Sequence, residues 1–256
     1  MAILLETKNL TKAFGGIVAV HGLDFHVQKG EILGLIGPNG SGKTTLFNLI
    51  TGFFPPSSGQ ILFEGEEITG FKPEKISSLG IVRSWQSTTV FDHFERTVLG
   101  NVLVASHLRE KSGLWRAIFT TSRYRTEGEE LEQEALRILK FMGLLPQKDR
   151  PAHSLPMAQK RCLGVANCLA THPKLMLLDE PVAGMSMEES QNLMEKLTRL
   201  RDQGFTILIV EHNVRVVMAV CDRVVVLSYG EKIADGAPAE VQKNPEVIAA
   251  YLGEED

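Results

Sequence analysis

The feature that most constrains this chain of 256 residues is the run GPNGSGKTT at residues 37–45, which fits the pattern G-x-x-x-x-G-K-[ST]. An apolar segment at residues 31–36 precedes it, and a helical pattern through Leu46, Leu49 and Ile50 follows it. Glycine accepts backbone dihedrals that a Cβ forbids, so this loop can turn successive N–H groups toward phosphate oxygens at the positive end of a helix. The order of strand, loop and helix predicts a site for ATP or GTP; the alternative is a chance glycine-rich turn.

Two side chains of this run add chemistry to the loop. Lys43 places a positive charge near the β- and γ-phosphates, and Thr44 places a hydroxyl where Mg²⁺ would lie. ATP and Mg²⁺ are therefore the expected cofactors. The predicted nucleotide-binding residues of the loop are Gly37, Pro38, Asn39, Gly40, Ser41, Gly42, Lys43, Thr44 and Thr45.

Composition excludes several classes of protein. A net charge of −4 argues against a bulk attraction to nucleic acid, so nucleic acid is not an expected partner. The three cysteines show no C-x-x-C spacing, which argues against a disulfide framework or a zinc site and fits a reducing cytoplasm. No window reaches the roughly 18 apolar residues that span a bilayer, so any membrane role is expected to be peripheral.

The periodicity along the chain predicts an α/β fold with a mainly parallel sheet, because strand patterns alternate with helical patterns. A helical stretch in the middle of the chain is the candidate subdomain, with an apolar face formed by Leu131, Ala135, Ile138, Leu139 and Met142. The predicted strands are residues 4–8, 18–27, 31–36, 60–63, 174–178, 205–210 and 223–227, and a helix is predicted over residues 188–203.

A second motif, LMLLDEP at residues 175–181, is an apolar strand that ends in two carboxylates. Asp179 is predicted to hold Mg²⁺ through water, and Glu180 to polarise the water that attacks the γ-phosphate. A solvated acidic turn is the alternative. Gln86 and His212 also follow apolar segments, and the ends of such strands are where open parallel sheets bind ligands.

With these motifs in this order, the chain resembles the nucleotide-binding subunits of ATP-binding-cassette (ABC) transporters over essentially its whole length. The resemblance implies a P-loop NTPase fold with a mainly parallel core sheet, an antiparallel β subdomain and a helical subdomain. It also implies one ABC ATPase domain over residues 1–256, with the helical subdomain inserted in the RecA-like core at about residues 87–170.

The resemblance assigns roles to further residues. Gln86 would touch Mg²⁺ and link the site to the membrane subunits, His212 would contact the γ-phosphate, and Phe14 would stack on adenine. Taken singly, Phe14 fits a core position and His212 a surface position. The implied catalytic residues are Lys43, Gln86, Glu180 and His212, and the implied Mg²⁺ ligands are Thr44, Gln86 and Asp179.

Within this superfamily the chain is similar to the branched-chain amino-acid transporter ATPases. The similarity lies in ITGF at residues 50–53, GIVR at 80–83, VEH at 210–212 and AYLGE at 250–254. It implies an importer of hydrophobic amino acids or related small amides, located at the cytoplasmic face of the cell membrane. The implied partners are transmembrane permease subunits, a second ATPase subunit and, indirectly, a solute-binding protein.

The chain departs from the family at residues 155–159, which read LPMAQ where the signature sequence is usually LSGGQ. Pro156 offers neither a hydroxyl nor an N–H to the partner's γ-phosphate, and Met157 and Ala158 add side chains where glycines permit close approach. Losing a hydrogen bond to a charged phosphate costs about 1.5–3 kcal/mol, or roughly 10- to 100-fold. We therefore expect pairing with a different ATPase that carries an ordinary signature; the alternative is that this segment only begins a helix.

Ser186 and the segment at residues 109–125 are two further features of the sequence. Ser186 stands where the family usually has Asp or Asn in the D-loop, which puts the cross-dimer contact that supports the attacking water in doubt. Basic residues surround a Trp and a Phe at residues 109–125, a composition that suits lipid headgroups or a membrane subunit, with a solvated loop as the alternative.

Two rival functions stay open. One is a cassette protein that acts on DNA or ribosomes; such proteins usually carry tandem cassettes or long coiled-coil insertions, and neither is evident here. The other is a regulatory, ATP-sensing subunit with weak catalysis, which the altered signature favours and the presence of Glu180 and His212 disfavours.

Overall fold

The computed structural model describes residues 2–84, 97–107 and 121–252. The chain divides into two compact units: Met1–Arg83 with Lys174–Glu180 and Leu197–Asp256, and Ser84–Pro173 with Pro181–Lys196. The side chains of Gln86 and of the basic segment at residues 109–125 lie outside the described part of the chain.

Strands and helices are numbered in chain order. The strands are β1 (Ile3–Phe14), β2 (Ile17–Gln28), β3 (Ile32–Ile36), β4 (Ser58–Phe63), β5 (Glu66–Glu67), β6 (Ile81–Ser84), β7 (Leu175–Asp179), β8 (Thr206–Val210), β9 (Arg223–Ser228) and β10 (Glu231–Gly236). The helices are α1 (Lys43–Ile50), α2 (Pro73–Ser78), α3 (Val98–His107), α4 (Thr121–Met142), α5 (Met157–Ala170), α6 (Met187–Asp202), α7 (Val214–Val220), α8 (Pro238–Val241) and α9 (Pro245–Leu252).

Among the described residues of the first unit, four strands form an antiparallel sheet in the order β2-β1-β4-β5. This sheet confirms the expected antiparallel β subdomain. Strand β1 is longer than residues 4–8, because its pairing with β2 continues past the polar Asn9 to Phe14 opposite Ile17. A register shift between Thr7 and Leu10 interrupts the alternation of apolar residues, which is why the sequence pattern stopped short.

A second sheet of the first unit has the order β10-β9-β3-β8-β7-β6 within the described ranges. Strand β3 pairs in parallel with β8 and β9, β7 pairs in parallel with β8, and β10 is antiparallel to β9. Every residue of β3, β7 and β8 is buried, as expected for parallel strands covered on both faces. The mainly parallel core sheet is therefore confirmed, and its carboxyl edge carries the residues that follow β3, β7 and β8.

In the second unit, helices α3, α4 and α5 pack against one another. The apolar face predicted for α4 faces this packing, because Ala135, Leu139 and Met142 are buried. Across the parts of the chain that the structure describes, no helix is long and apolar enough to cross a membrane.

Cys168 of the second unit and Cys221 of the first unit are both buried, and the reactivity of their thiols tests this placement. Burial raises the pKa of each thiol to about 12. We expect both to react with a disulfide reagent at about pH 8 at least roughly a hundredfold more slowly in the folded chain than in urea, because the thiolate is the reactive form. The measurement is thiol release with and without denaturant, and equal rates in the two conditions would contradict the buried placement.

The same shifts predict how stability depends on pH. In the unfolded chain these thiols ionise near the ordinary cysteine pKa of 9.0, whereas in the folded chain they keep their protons up to a pKa of about 12. The free energy of unfolding should therefore fall as the pH rises above about 9, by up to about 1.4 kcal/mol per pH unit for each thiol. Denaturation curves of Cys168→Ala should show a weaker fall over this range than those of the natural chain.

Candidate nucleotide-binding site

The predicted phosphate loop joins β3 to α1, and two of its glycines are required by close backbone packing. A Cβ on Gly37 would lie 2.1 Å from the carbonyl oxygen of Leu227, and a Cβ on Gly42 would lie 2.5 Å from that of Ala19. Gly42 also has a φ of 103°, in the left-handed region, immediately before α1 begins. The loop is therefore held against the backbones of β2 and β9.

Lys43 is 5% exposed and its ammonium lies over the loop. Nζ donates to the carbonyl oxygens of Gly37 and Pro38 at 2.7 Å each, and to Oγ of Ser41 at 3.2 Å. Phosphate oxygens are stronger, charged acceptors for an ammonium than these neutral groups. The Lys43 side chain can thus exchange contacts within the loop for contacts with a nucleotide. Thr44 is an exposed residue on the first turn of α1.

The turn between β9 and β10 is joined to the phosphate loop by a backbone hydrogen bond. The sequence did not indicate this contact. The N–H of Gly230 donates to the carbonyl of Ser41 at 3.1 Å, and the carbonyl of Gly230 accepts from His21 at 2.9 Å. Tyr229, just before this glycine, has a φ of 47° and is 92% exposed. These bonds connect the phosphate loop to both sheets of the first unit.

Asp179 is the last residue of β7 and is buried, with 5% of its surface exposed. Its Oδ2 accepts from Nη2 of Arg83 at 2.5 Å. Sequence reasoning gave Arg83 no role, although a charged residue near the end of a short apolar strand is the signal that marks it.

The structure brings Glu180 and His212 together. Nε2 of His212 lies 2.8 Å from Oε1 of Glu180, and the Glu180 N–H donates to the carbonyl of Val210 at 2.8 Å. Glu180 has a φ of 47°, a conformation that costs energy for a side chain other than glycine and that turns the chain sharply at the end of β7. Two predicted catalytic side chains therefore meet at the carboxyl edge of the parallel sheet.

Phe14 lies at the end of β1 and is 43% exposed, so it is not a core residue. Phe54 packs edge-on against it with ring centroids 5.4 Å apart, and the Lys12 ammonium lies 5.0 Å from the Phe14 centroid. Lys12 is in turn held by the carbonyl of Pro55 at 2.7 Å. These neighbours fix the Phe14 ring at the surface, where a nucleobase could stack on it.

The signature segment begins α5. Leu155 is buried, Pro156 is the N-cap with φ −56° and ψ 156°, and the helix starts at Met157, whose side chain is 54% exposed. The segment thus does start a helix, as the alternative interpretation expected. Pro156 adds no side-chain hydrogen bond at this helix end.

Ser186 has a structural role at the start of α6. Its N–H donates to Oε2 of Glu189 at 2.8 Å, and its Oγ accepts from the Glu189 N–H at 3.3 Å, which together form a capping box. The Glu189 carboxylate accepts from the Ser186 N–H and, to a lesser extent, from the Ser186 side chain, and both interactions lower the pKa of this carboxyl. The departure from the usual D-loop residue therefore keeps the helix capped.

The residues present fit a Mg²⁺ that is bound mainly by nucleotide. No cluster of three or more His, Cys, Asp or Glu side chains in the described residues could hold a metal by itself. Mg²⁺ commonly takes one or two protein oxygens and completes its shell with phosphates and water. Thr44 and Asp179 would supply such oxygens, and Gln86, the third predicted ligand, lies outside the described residues.

A phosphate loop before a helix, with two carboxylates at the end of another strand of the same parallel sheet, defines a P-loop nucleotide-binding protein. The family model described as ABC transporter matches residues 20–183, and that described as branched-chain amino acid ATP-binding cassette transporter matches residues 231–256. The chain belongs to the ABC transporter ATPases. The predicted family and fold class are confirmed, and ATP is the nucleotide of this class.

Similar proteins cover the chain almost completely. The high-affinity branched-chain amino acid transport ATP-binding protein BraF of Pseudomonas aeruginosa is 38% identical over 252 residues, with 98% of each chain covered. LivG of Escherichia coli, which carries the same description, is 39% identical with the same coverage. A solved structure of an ATP-binding cassette in its ADP conformation has a TM-score of 0.85 at 32% identity, covering 99% of this chain and 100% of that one.

Two glycine substitutions test the packing of the loop. Gly40→Ala meets open space at a φ of 75° and should cost about 1–2 kcal/mol for the left-handed backbone alone. Gly42→Ala should cost more, because its Cβ meets the Ala19 carbonyl as well. Urea denaturation of both variants measures the difference, and equal losses would contradict the close approach at Gly42.

Ser186 variants test the capping box. Ser186→Ala should lower the free energy of unfolding by about 0.5–2 kcal/mol, whereas Ser186→Asp should keep the cap and the stability of the natural chain. Thermal or urea denaturation of the two variants gives the answer. No loss in Ser186→Ala, or a loss of the same size in both variants, would contradict the capping role.

Proposed function

We propose that this chain is the ATP-hydrolysing subunit of an importer for branched-chain amino acids or related small amides. The transport descriptions carried by BraF and LivG, and the family model that matches residues 231–256, support this substrate class. The chain would work at the cytoplasmic face of the cell membrane. Its partners would be transmembrane permease subunits and, through them, a solute-binding protein that delivers the solute.

Most of the residues that would bind nucleotide belong to the first unit. The exposed Phe14 ring would stack on adenine, and the backbone N–H groups of residues 38–45, with Lys43, would bind the phosphates. Thr44, Gln86 and Asp179 would hold Mg²⁺, which neutralises charge on the β- and γ-phosphates. The buried position of Lys43 supports this role, because a charge shielded from water acts strongly on a phosphate.

Hydrolysis would follow from the pair at the ends of β7 and β8. Glu180 would orient the attacking water and accept its proton, and His212 would contact the γ-phosphate. Their separation of 2.8 Å supports a joint action, because each side chain restricts the orientation of the other. Lys43 would stabilise the negative charge on the transferring phosphoryl group.

We further propose that the chain works in a dimer with a different ATPase subunit. Two features support this proposal. Glu180 and His212 are in contact at the carboxyl edge of the sheet, whereas the helix of the signature segment begins directly after Pro156. The dipole of α5 would still favour an anion, but Pro156 offers no donor to a γ-phosphate held by the partner. The site that uses this chain's phosphate loop would be fully competent, and the reciprocal site would turn over poorly.

A regulatory, ATP-sensing subunit is the second candidate. The altered signature at residues 155–159 favours it, since such a chain has no need for turnover. The Glu180–His212 contact disfavours it, because strained backbone of the kind found at Glu180 is commonly kept where a side chain must be aimed at a reaction.

Steady-state ATP hydrolysis by the purified chain tests the proposal. A variant with Pro156→Ser, Met157→Gly and Ala158→Gly should hydrolyse ATP about 10- to 100-fold faster than the natural chain, because it regains donors to the phosphate. Adding Glu180→Gln to that variant should abolish the gain. The stability of each variant is measured in parallel, since glycine at the start of α5 also weakens the helix.

The opposite result is equally informative. If the natural chain already hydrolyses ATP at the rate of the restored variant, and Glu180→Gln abolishes this activity, the signature works as it stands and the need for a different partner is wrong. If neither chain hydrolyses ATP although both bind it, the regulatory role is favoured.

A further inference from the structure

Arg83 lies one residue before the end of β6, beside the carboxylate that ends β7. The side chains of Arg83 and Asp179 are 7% and 6% exposed, and Nη2 lies 2.5 Å from Oδ2. At the opposite ends of these strands, the N–H groups of Lys174 and Leu175 donate to the carbonyl of Gly80. Strands β6 and β7 therefore run in the same direction, and the ion pair joins their carboxyl ends.

The guanidinium is itself held by the helix that follows the phosphate loop. Nη1 of Arg83 donates to Oδ1 of Asn48 at 2.7 Å, and the Arg83 Cζ lies 5.3 Å from the centroid of the Phe47 ring. Asn48 and Phe47 both belong to α1, whose first residue is Lys43. Arg83 thus connects the orientation of Asp179 to the helix that carries the phosphate-binding lysine.

Stability alone is a weak reason for this ion pair. A buried ion pair loses the hydration of both charges, and an apolar pair of similar volume is often as stable or more so. Arginine holds two partners at a fixed angle because its guanidinium is planar, which a lysine cannot do. The arrangement is suited to fixing the direction of a carboxylate.

We propose that Arg83 is a positioning residue for the Asp179 carboxylate in metal-dependent nucleotide binding. It occupies Oδ2 and keeps the carboxylate in one orientation, so that Asp179 would meet the hydrated metal without first reorganising. This role rests on the proposed nucleotide and Mg²⁺ site. Loss of a residue that orients a metal-binding side chain typically lowers metal affinity or activity by about 10- to 100-fold.

The test is an equilibrium measurement and needs no turnover. The Kd of the non-hydrolysable ATP analogue AMP-PNP is determined for the full chain in excess Mg²⁺ and again in EDTA, and the ratio of the EDTA value to the Mg²⁺ value is the metal factor. Arg83→Gln should lower the metal factor by about 10-fold or more relative to the natural chain. Arg83→Lys keeps the positive charge but loses the planar guanidinium that contacts Asp179 and Asn48 together, and it should give an intermediate value.

A double-mutant cycle shows whether Arg83 acts through Asp179. Asp179→Asn should lower the metal factor, and adding Arg83→Gln to it should lower it by less than about twofold more, because the carboxylate to be oriented is already gone. Full additivity of the two losses would overturn the proposal.

Arg223 provides the matched control. It forms another buried ion pair, with Nη2 3.0 Å from Oε1 of Glu31, at the opposite, amino-terminal edge of the same sheet. Arg223→Gln should lower the stability of the chain and leave the metal factor unchanged. Asn48→Ala is a milder second variant. It removes the hydrogen bond from Nη1 of Arg83 but keeps the bond from Nη2 to Asp179, so it should lower the metal factor less than Arg83→Gln does.

The outcomes separate this role from the proposed function. A metal factor that is unchanged in folded Arg83→Gln shows that the ion pair is only structural, and an increased one shows that Arg83 competes with the metal; either result overturns the proposal. If the natural chain itself binds AMP-PNP equally well with and without Mg²⁺, the proposed metal site is wrong and the role of Arg83 falls with it.

Discussion

The site depends on the packing of one loop against the backbones of two strands. The glycines of the phosphate loop allow it to lie against the carbonyls of Ala19 and Leu227, and the turn at Gly230 supports it from behind. Because β2 belongs to the antiparallel sheet and β9 to the mainly parallel one, the loop is fixed where the two sheets of the first unit meet. This fixed backbone allows α1 to begin abruptly at Lys43 and to present its first N–H groups to an anion.

The functional side chains at the carboxyl edge of the parallel sheet all have partners within the protein. Lys43 lies over the oxygens of its own loop, Asp179 is paired with Arg83, and Glu180 contacts His212. Burying a charge is costly unless it has partners, so the contacts of Lys43 and Asp179 offset the cost of burying these two groups. In our account, Mg²⁺ and ATP use the same groups, with Lys43 and His212 exchanging a protein partner for phosphate.

The sequence predicted β3, β7, β8 and β9 to within about one residue at each end, because each contains a short apolar run flanked by turn residues. It predicted the position of the loop between β3 and α1 and of the two carboxylates at the end of β7 for the same reason. It could not predict the long extension of β1, where a register shift disrupts the alternation, or the support from Gly230, which is distant in sequence. Arg83 was missed because its partners, Asn48 and Asp179, come together only when α1, β6 and β7 are assembled.

We propose that the hydrolytic residues of this chain are competent and that its signature segment is deficient. Trans-complementation measures both at once: the natural chain is mixed with a chain that combines the restored signature, Pro156→Ser with Met157→Gly and Ala158→Gly, with Glu180→Gln. We expect each chain alone to be nearly inert and the mixture to hydrolyse ATP about 10- to 100-fold faster, because the natural Glu180 then faces a restored signature. A natural chain that is as active alone as in the mixture, or a mixture that stays inert although both chains bind ATP and associate, would contradict the account.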